Sequence, residues 1–239
     1  MVDEQSGPGA PALLPWESPD EVRVVDRTVG RTGGELVLRR AGSHWEVVSN
    51  GVFLMDTRDG ASEREMVRAA LAGVAVGRRD AAVLIGGLGV GFSAREALDD
   101  PRVARVRVVE LEPRVVEWHS GPLAPVAGRL AEDPRCQIDC ADVVDWLAAT
   151  AETFDAVCLD VDNGPDWTVV EGNGRLYLPE ALGHIRRVLR PGGAVAFWSA
   201  MPAPGFADLL ARRFGRVRTV EVPARRGGPD VVYLAHTAP

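Results

Sequence analysis

Apolar positions along this chain fall into two regimes. In the first, residues 35–39, 44–48 and 52–55 form short β-like runs, punctuated by Ala41-Gly42-Ser43 and Ser49-Asn50-Gly51. Short runs separated by Gly and Asn turn signals predict a small antiparallel meander. Ser62 and Glu65 then have the spacing of a capping box, which predicts a helix start with Met66, Val67, Ala70 and Leu71 on its apolar face. In the second regime, from residue 81, short continuous apolar runs alternate with helical stretches. The runs lie at 82–85, 106–109, 136–138, 156–159, 194–197, 217–220 and 231–234, and the helical stretches near 92–98, 113–119, 142–149, 179–190 and 205–214. Unbroken apolar runs are the pattern of parallel strands buried on both faces.

Alternation of this kind predicts an α/β fold with a doubly wound sheet and right-handed crossovers. Between the last two runs there is only the segment 223–230, so they should pair as a C-terminal antiparallel hairpin. Seven strands ending in a hairpin describe a Rossmann-like class I methyltransferase sheet rather than a dinucleotide-binding one. The expected organisation is therefore residues 1–20 disordered (Pro8, Pro11, Pro15 and Pro19 with Gly7 and Gly9), 21–60 a small N-terminal β appendage, and 61–239 the Rossmann-like catalytic domain.

Composition narrows the partners. The 239 residues carry 27 Lys and Arg against 34 Asp and Glu, a formal charge of −7. Such a chain gains nothing from a phosphate backbone, so no nucleic acid is expected. Apolar runs fall short of the roughly 20 residues that span a bilayer, so no membrane partner is expected. The opening residues have neither the basic nor the apolar region of a secretory signal. Cys136, Cys140 and Cys158 are too few and too isolated for a disulfide framework or a structural zinc site, which fits a reducing, cytoplasmic location.

Candidate chemistry sits at the predicted strand ends. The first strand of the large sheet runs into Gly86-Gly87-Leu88-Gly89-Val90-Gly91, and such glycines let backbone turn sharply and approach a ligand at a helix N-terminus. Alone the motif also fits an NAD fingerprint or a bare βα turn. Glu110 ends the second strand, where a carboxylate can accept ribose hydroxyls; the alternative is a solvated loop acid, and Glu112 lies past the strand end. Asp142 follows the third strand, as an N-cap, as an acceptor for an adenine amino group, or as both. Asp160 ends the fourth, followed by Asp162, Asn163, Gly164, Pro165, Asp166 and Trp167, a ligand-binding loop or an Asx-rich turn. Taken in strand order, these groups describe a pocket for an adenosyl group.

At these residues the chain resembles the spermidine synthases, the polyamine aminopropyltransferases of the class I S-adenosylmethionine-dependent methyltransferase superfamily. The resemblance spans roughly residues 35–235. It rests on the segment 57–66, the glycine loop within 83–96, Val109-Glu110-Leu111, Ala141-Asp142, the strand 154–160, and the turn Pro191-Gly192-Gly193. It implies that Gly86, Gly87, Gly89, Gly91, Glu110, Asp142 and Asp160 hold the adenosyl ligand and that Asp160 accepts the proton. It further implies that Glu63, Asp162, Asn163 and Trp167 face the acceptor and that the protein is a homodimer. The chain also departs from the pattern. Val90 stands where the family usually has an aspartate that contacts the ammonium of decarboxylated S-adenosylmethionine. Glu63 replaces a tyrosine, and Asn163 replaces a second acid, with Asp162 shifted by one.

The adenosine determinants are thus retained and the aminopropyl determinants altered. The expected function is transfer of a methyl or other alkyl group from S-adenosylmethionine to a small-molecule acceptor, an amine. The alternatives are aminopropyl transfer from decarboxylated S-adenosylmethionine, or a non-catalytic adenosyl- or NAD-binding module. The long segment 163–178, with Trp167, Glu171, Arg175 and Tyr177, is expected to be either a lid over the acceptor or an ordinary surface insertion.

Overall fold

The computed structural model describes residues 22–74, 77–225 and 227–238. The expectation of disorder for 1–20 lies outside these residues. Four strands come first: β1 (Val22–Val29), β2 (Glu35–Ala41), β3 (His44–Ser49) and β4 (Val52–Asp56), hydrogen-bonded in that order as an antiparallel sheet. The meander therefore has one strand more than its apolar runs predict. β1 is exposed along most of its length and bulged between Val24 and Asp26, so it carries no single buried face to betray it.

Helix α1 (Ala61–Leu71) follows, and it corrects the predicted capping box. Gly60 is the N-cap, and Asp59 Oδ1 accepts from the backbone N–H groups of Gly60 and Ala61. Ser62 is inside the first turn, and its hydroxyl points to other acids. The large sheet then forms from β5 (Ala81–Gly86), β6 (Val103–Glu110), β7 (Cys136–Cys140), β8 (Phe154–Leu159), β9 (Leu189–Ser199), β10 (Val217–Val222) and β11 (Asp230–His236). Helices α2 (Phe92–Asp99), α3 (Pro113–His119), α4 (Val143–Ala149), α5 (Pro179–Val188) and α6 (Pro204–Phe214) connect them.

The strand order is β10-β11-β9-β8-β5-β6-β7. β5 to β9 are parallel, whereas β11 pairs antiparallel with both β9 and β10, giving the expected terminal hairpin. Two apolar layers cover the sheet, and successive strand residues alternate between them. Val83, Ile85, Val106, Val108 and Cys158 face one layer, which α1, α2 and the meander residues Leu36, Leu38 and Val47 complete. Leu84, Val109, Val157, Leu159 and Phe197 face the other, closed by α4, α5 and α6. The meander is thus packed onto the large sheet through a shared core.

Parallel pairing brings strand ends level: Gly86 lies beside Val109 and Leu159, and Glu110 beside Cys140. The crossover direction changes between β5 and β8, and ligands bind at such a switch point in open α/β sheets. Among the described residues, no helix is long and apolar enough to cross a membrane. No group of three or more His, Cys, Asp or Glu there could hold a metal ion, and the three cysteines are free thiols.

Candidate active site

A cavity of about 710 Å³ opens at this edge, bounded by the glycine loop, the ends of β6 and β8, the start of α1 and the inner side of β4. That volume suits a nucleoside-sized ligand together with a small acceptor. Nine acidic residues and two arginines line it, so its field favours a cation.

The glycine loop forms one wall. Gly87 has φ +87°, and a Cβ there would run into the Asp160 carbonyl oxygen, so both conformation and close approach demand glycine. Gly91, at φ +93°, is the N-cap of α2. Gly87, Gly89 and Gly91 line the cavity, but Gly86 does not. Gly86 is a β5 residue whose missing side chain makes room for Leu159 and Val143, so its role is packing rather than ligand contact. Val90 is buried and lines the cavity, placing apolar surface beside the glycines. Behind the loop, the buried His119 donates from Nε2 to the Gly89 carbonyl at 3.0 Å. Burial lowers the His119 pKa, and a neutral ring suits this clamp.

Glu110 and Asp142 form the next stretch. Glu110 is buried; its Oε2 accepts from Leu88 N and its Oε1 from Glu112 N, each at 2.8 Å. Burial raises its pKa, opposed by those N–H groups. Asp142 caps α4, with Oδ1 accepting from Val144 N at 2.8 Å and Asp145 N at 3.2 Å, while Arg175 Nη1 lies 3.7 Å from Oδ2. It also lines the cavity, so the cap and a cavity-facing position coexist. Glu112 lines the cavity too, and both its oxygens accept from Arg31 N, at 3.0 and 2.8 Å, tying the β1–β2 hairpin to this wall.

The opposite end is crowded with carboxylates. Asp160 accepts from Ser93 Oγ at 3.2 Å, and burial followed by the charge of Glu63 pushes its pKa up to about 8. Glu63 and Asp230 are raised as well, chiefly by burial. Ser62 Oγ lies 2.7 Å from Asp230 Oδ2 and 3.0 Å from Glu63 Oε2, and it accepts from Trp198 Nε1 at 3.1 Å. Sequence reasoning missed Asp230 and Ser62. Parallel strands present their C-terminal ends at this edge, whereas β11 is reversed and delivers its first residue there.

In the loop after β8, Asp162 lines the cavity, yet its carboxylate accepts from Asn163 N, Val169 N, Val170 N and Asn173 Nδ2. It organises the loop at φ +61°. Asn163 is buried, and its Nδ2 has no hydrogen-bond partner. Trp167 lines the cavity with 48% of its surface exposed. A 3₁₀ turn spans Glu171–Tyr177. Tyr177 is buried and donates to the Val161 carbonyl at 2.9 Å, and Arg175 pairs with Asp145. The side chain of Glu171 is outside the described set. The segment 163–178 is therefore anchored near both ends, by Asn163 and Gly164 and by Leu176 and Tyr177, with Trp167 exposed between them.

A model of the spermine/spermidine synthase domain matches residues 62–202. The chain belongs to that family. It is 32% identical over 171 residues to a polyamine aminopropyltransferase of Mycobacterium tuberculosis (strain ATCC 25618 / H37Rv), covering 70% of this chain and 31% of that protein. It is 35% identical over 176 residues to polyamine aminopropyltransferase 2 of Streptomyces coelicolor (strain ATCC BAA-471 / A3(2) / M145), covering 72% and 30% respectively. The chain thus spans about a third of the length of these relatives. Its fold matches a spermidine synthase in complex with the transition state analogue AdoDATO, at TM-score 0.75 and 19% identity over 90% of this chain and 74% of that one. Human methyltransferase-like protein 13 in complex with SAH matches at TM-score 0.56 and 20% identity, over 73% and 83%.

Proposed function

We propose that this family member is an enzyme that transfers an aminopropyl group from decarboxylated S-adenosylmethionine to a small amine. The observation that carries the reading is the convergence of the glycine loop, Glu110, Asp142 and Asp160 on one acid-lined cavity. Family membership and the aminopropyltransferase relatives support aminopropyl transfer over the methyl transfer expected from the sequence.

The residues present fit an adenosyl sulfonium. Glu110 and Asp142 are held by backbone N–H groups with acceptor capacity to spare, suited to ribose and adenine donors. When bound, the sulfonium supplies an activated carbon whose C–S bond breaks as the C–N bond forms, the electron pair returning to sulfur. The chain's own work is positioning, which can contribute about 7–11 kcal/mol, and management of one proton. An alkyl amine with pKa near 10.4 costs roughly 4.6 kcal/mol to neutralise at pH 7. Desolvation lowers that cost, and Asp160 accepts the proton at its carboxylate. With its pKa pushed up to about 8, Asp160 acts as base in the fraction ionised at pH 7, so turnover should rise as pH approaches 8. Trp167, exposed in the middle of its loop, would cover the acceptor.

Val90 supports a second reading, transfer from intact S-adenosylmethionine. An acid in that position would repel the cofactor's carboxylate, and a valine does not. Calorimetry separates the two: tighter binding of methylthioadenosine than of S-adenosylhomocysteine supports aminopropyl transfer, and the reverse order supports methyl transfer. Binding of NAD alone would overturn both. Val22, Val24, Val25 and Val29 are exposed along the edge strand β1, which favours the homodimer implied by the family resemblance, to be tested by light scattering.

A further inference from the structure

Ser62 Oγ is the meeting point of three groups, and counting its hydrogens is informative. A serine hydroxyl has one proton to donate and two lone pairs to accept with. Trp198 Nε1–H, 3.1 Å away, fills one lone pair. Two carboxylate oxygens, Asp230 Oδ2 at 2.7 Å and Glu63 Oε2 at 3.0 Å, also lie within hydrogen-bond distance. The single serine proton can serve only one of them. The other oxygen must share that proton in a bifurcated bond or carry one of its own, and burial, which raises both acids, favours the second. Were the Trp198 N–H turned towards Asp230 instead, the count between serine and carboxylates would stay one proton short.

We infer that Glu63 and Asp230, bridged by Ser62, share one proton in the empty site and exchange it for the cationic nitrogen of an alkylammonium ligand. The inference rests on the amine-acceptor reading above and names the residues that would select such an acceptor. The surroundings agree with it. Asp59 faces the pair from the segment before α1 and Asp160 from the end of β8, and charge on either opposes a second negative charge on the pair. Of the two lining arginines, Arg58 is paired with Asp56 and Glu46, and Arg225 reaches the cavity from the β10–β11 connection. Burial penalises two bare carboxylates side by side, so the site holds either a proton or another cation. An ammonium, with three donors, can satisfy both acids while Ser62 donates to either.

The test is calorimetric titration of putrescine into the full chain near neutral pH, in buffers of different ionisation enthalpy, with methylthioadenosine titrated separately into each variant. Asp230→Asn and Glu63→Gln each leave one acid, which the serine proton alone satisfies. Each should release about one proton fewer than the parent on binding putrescine, with affinity weakened about ten-fold or more. The double variant should show no further change in proton count. Absence of proton release in the parent, or parent-like release and affinity in both single variants, would overturn the inference. Methylthioadenosine distinguishes the two levels: if it binds the parent while the proton counts are unchanged by substitution, only the shared-proton site fails. If it does not bind, the adenosyl reading fails.

Discussion

The two ends of the cavity use the same side-chain chemistry in opposite ways. At the adenosyl end, carboxylates are held by backbone. Glu110 takes N–H groups from Leu88 and Glu112, and Asp142 takes them from the first turn of α4. At the proposed acceptor end, Asp160, Glu63 and Asp230 meet serine hydroxyls, an indole and, at Glu63, its own backbone N–H, and are raised chiefly by burial and by neighbouring acids. Under the proposed function, the first arrangement serves a neutral nucleoside. The second stays electrically unfinished until a cation or a proton arrives. A pocket can thus hold many acids and still divide its work, according to how each is satisfied.

The largest test of this division is Asp160→Asn. If Asp160 belongs to the reacting end alone, turnover should fall by about 10²–10⁴-fold while methylthioadenosine affinity changes little. Equal losses in both would merge the two ends into one. Next is Gly87→Ala. The positive φ and the contact with the Asp160 carbonyl should together cost about 3 kcal/mol, read as a lowered midpoint of denaturant unfolding, with adenosyl binding lost alongside.

Smaller, but specific to the acceptor end, is a pH effect on stability. The pKa of Asp160 is near 8 in the folded protein and about 3.9 in an unfolded chain, so between these values the folded state binds more protons. Stability contributed by the neutral form is therefore lost as pH rises towards 8, the opposite of a salt-bridged aspartate. Above pH 8, Asp160→Asn should melt about 5 °C or more higher than the parent, with a flatter pH profile. The smallest test addresses the adenosyl end. Asp142→Ser keeps an N-cap oxygen but removes the carboxylate, so Tm should hold within about 2 °C while methylthioadenosine binding weakens several-fold. Unchanged binding would leave Asp142 as a cap only.

Much of this was legible in the chain. β5 and the second half of β8 announce themselves as unbroken apolar runs, β6 does so around Arg107, and the groups at their tips follow from topology. The rest was hidden for identifiable reasons. β1 has no buried stripe, so its valines look like linker. Ser62 has the spacing of a cap, but Gly60 and Asp59 already start the helix, which frees the hydroxyl to turn towards Asp230. Asp230 lies some 168 positions from Ser62, and only the reversed direction of β11 brings them together. Asp162, predicted to face substrate, is consumed by four donors of its own loop.

The grip of Glu112 on Arg31 has a consequence for anyone wishing to transplant this catalytic unit. The segment matched by the family model begins at Ser62, yet a wall of the binding site is pinned by a residue thirty-one positions before it. Grafting 62–202 alone would carry over the glycines, Glu110, Asp142 and Asp160, lose Asp230, and strip Glu112 of its Arg31 partner, so the recipient would inherit a hollow without its roof.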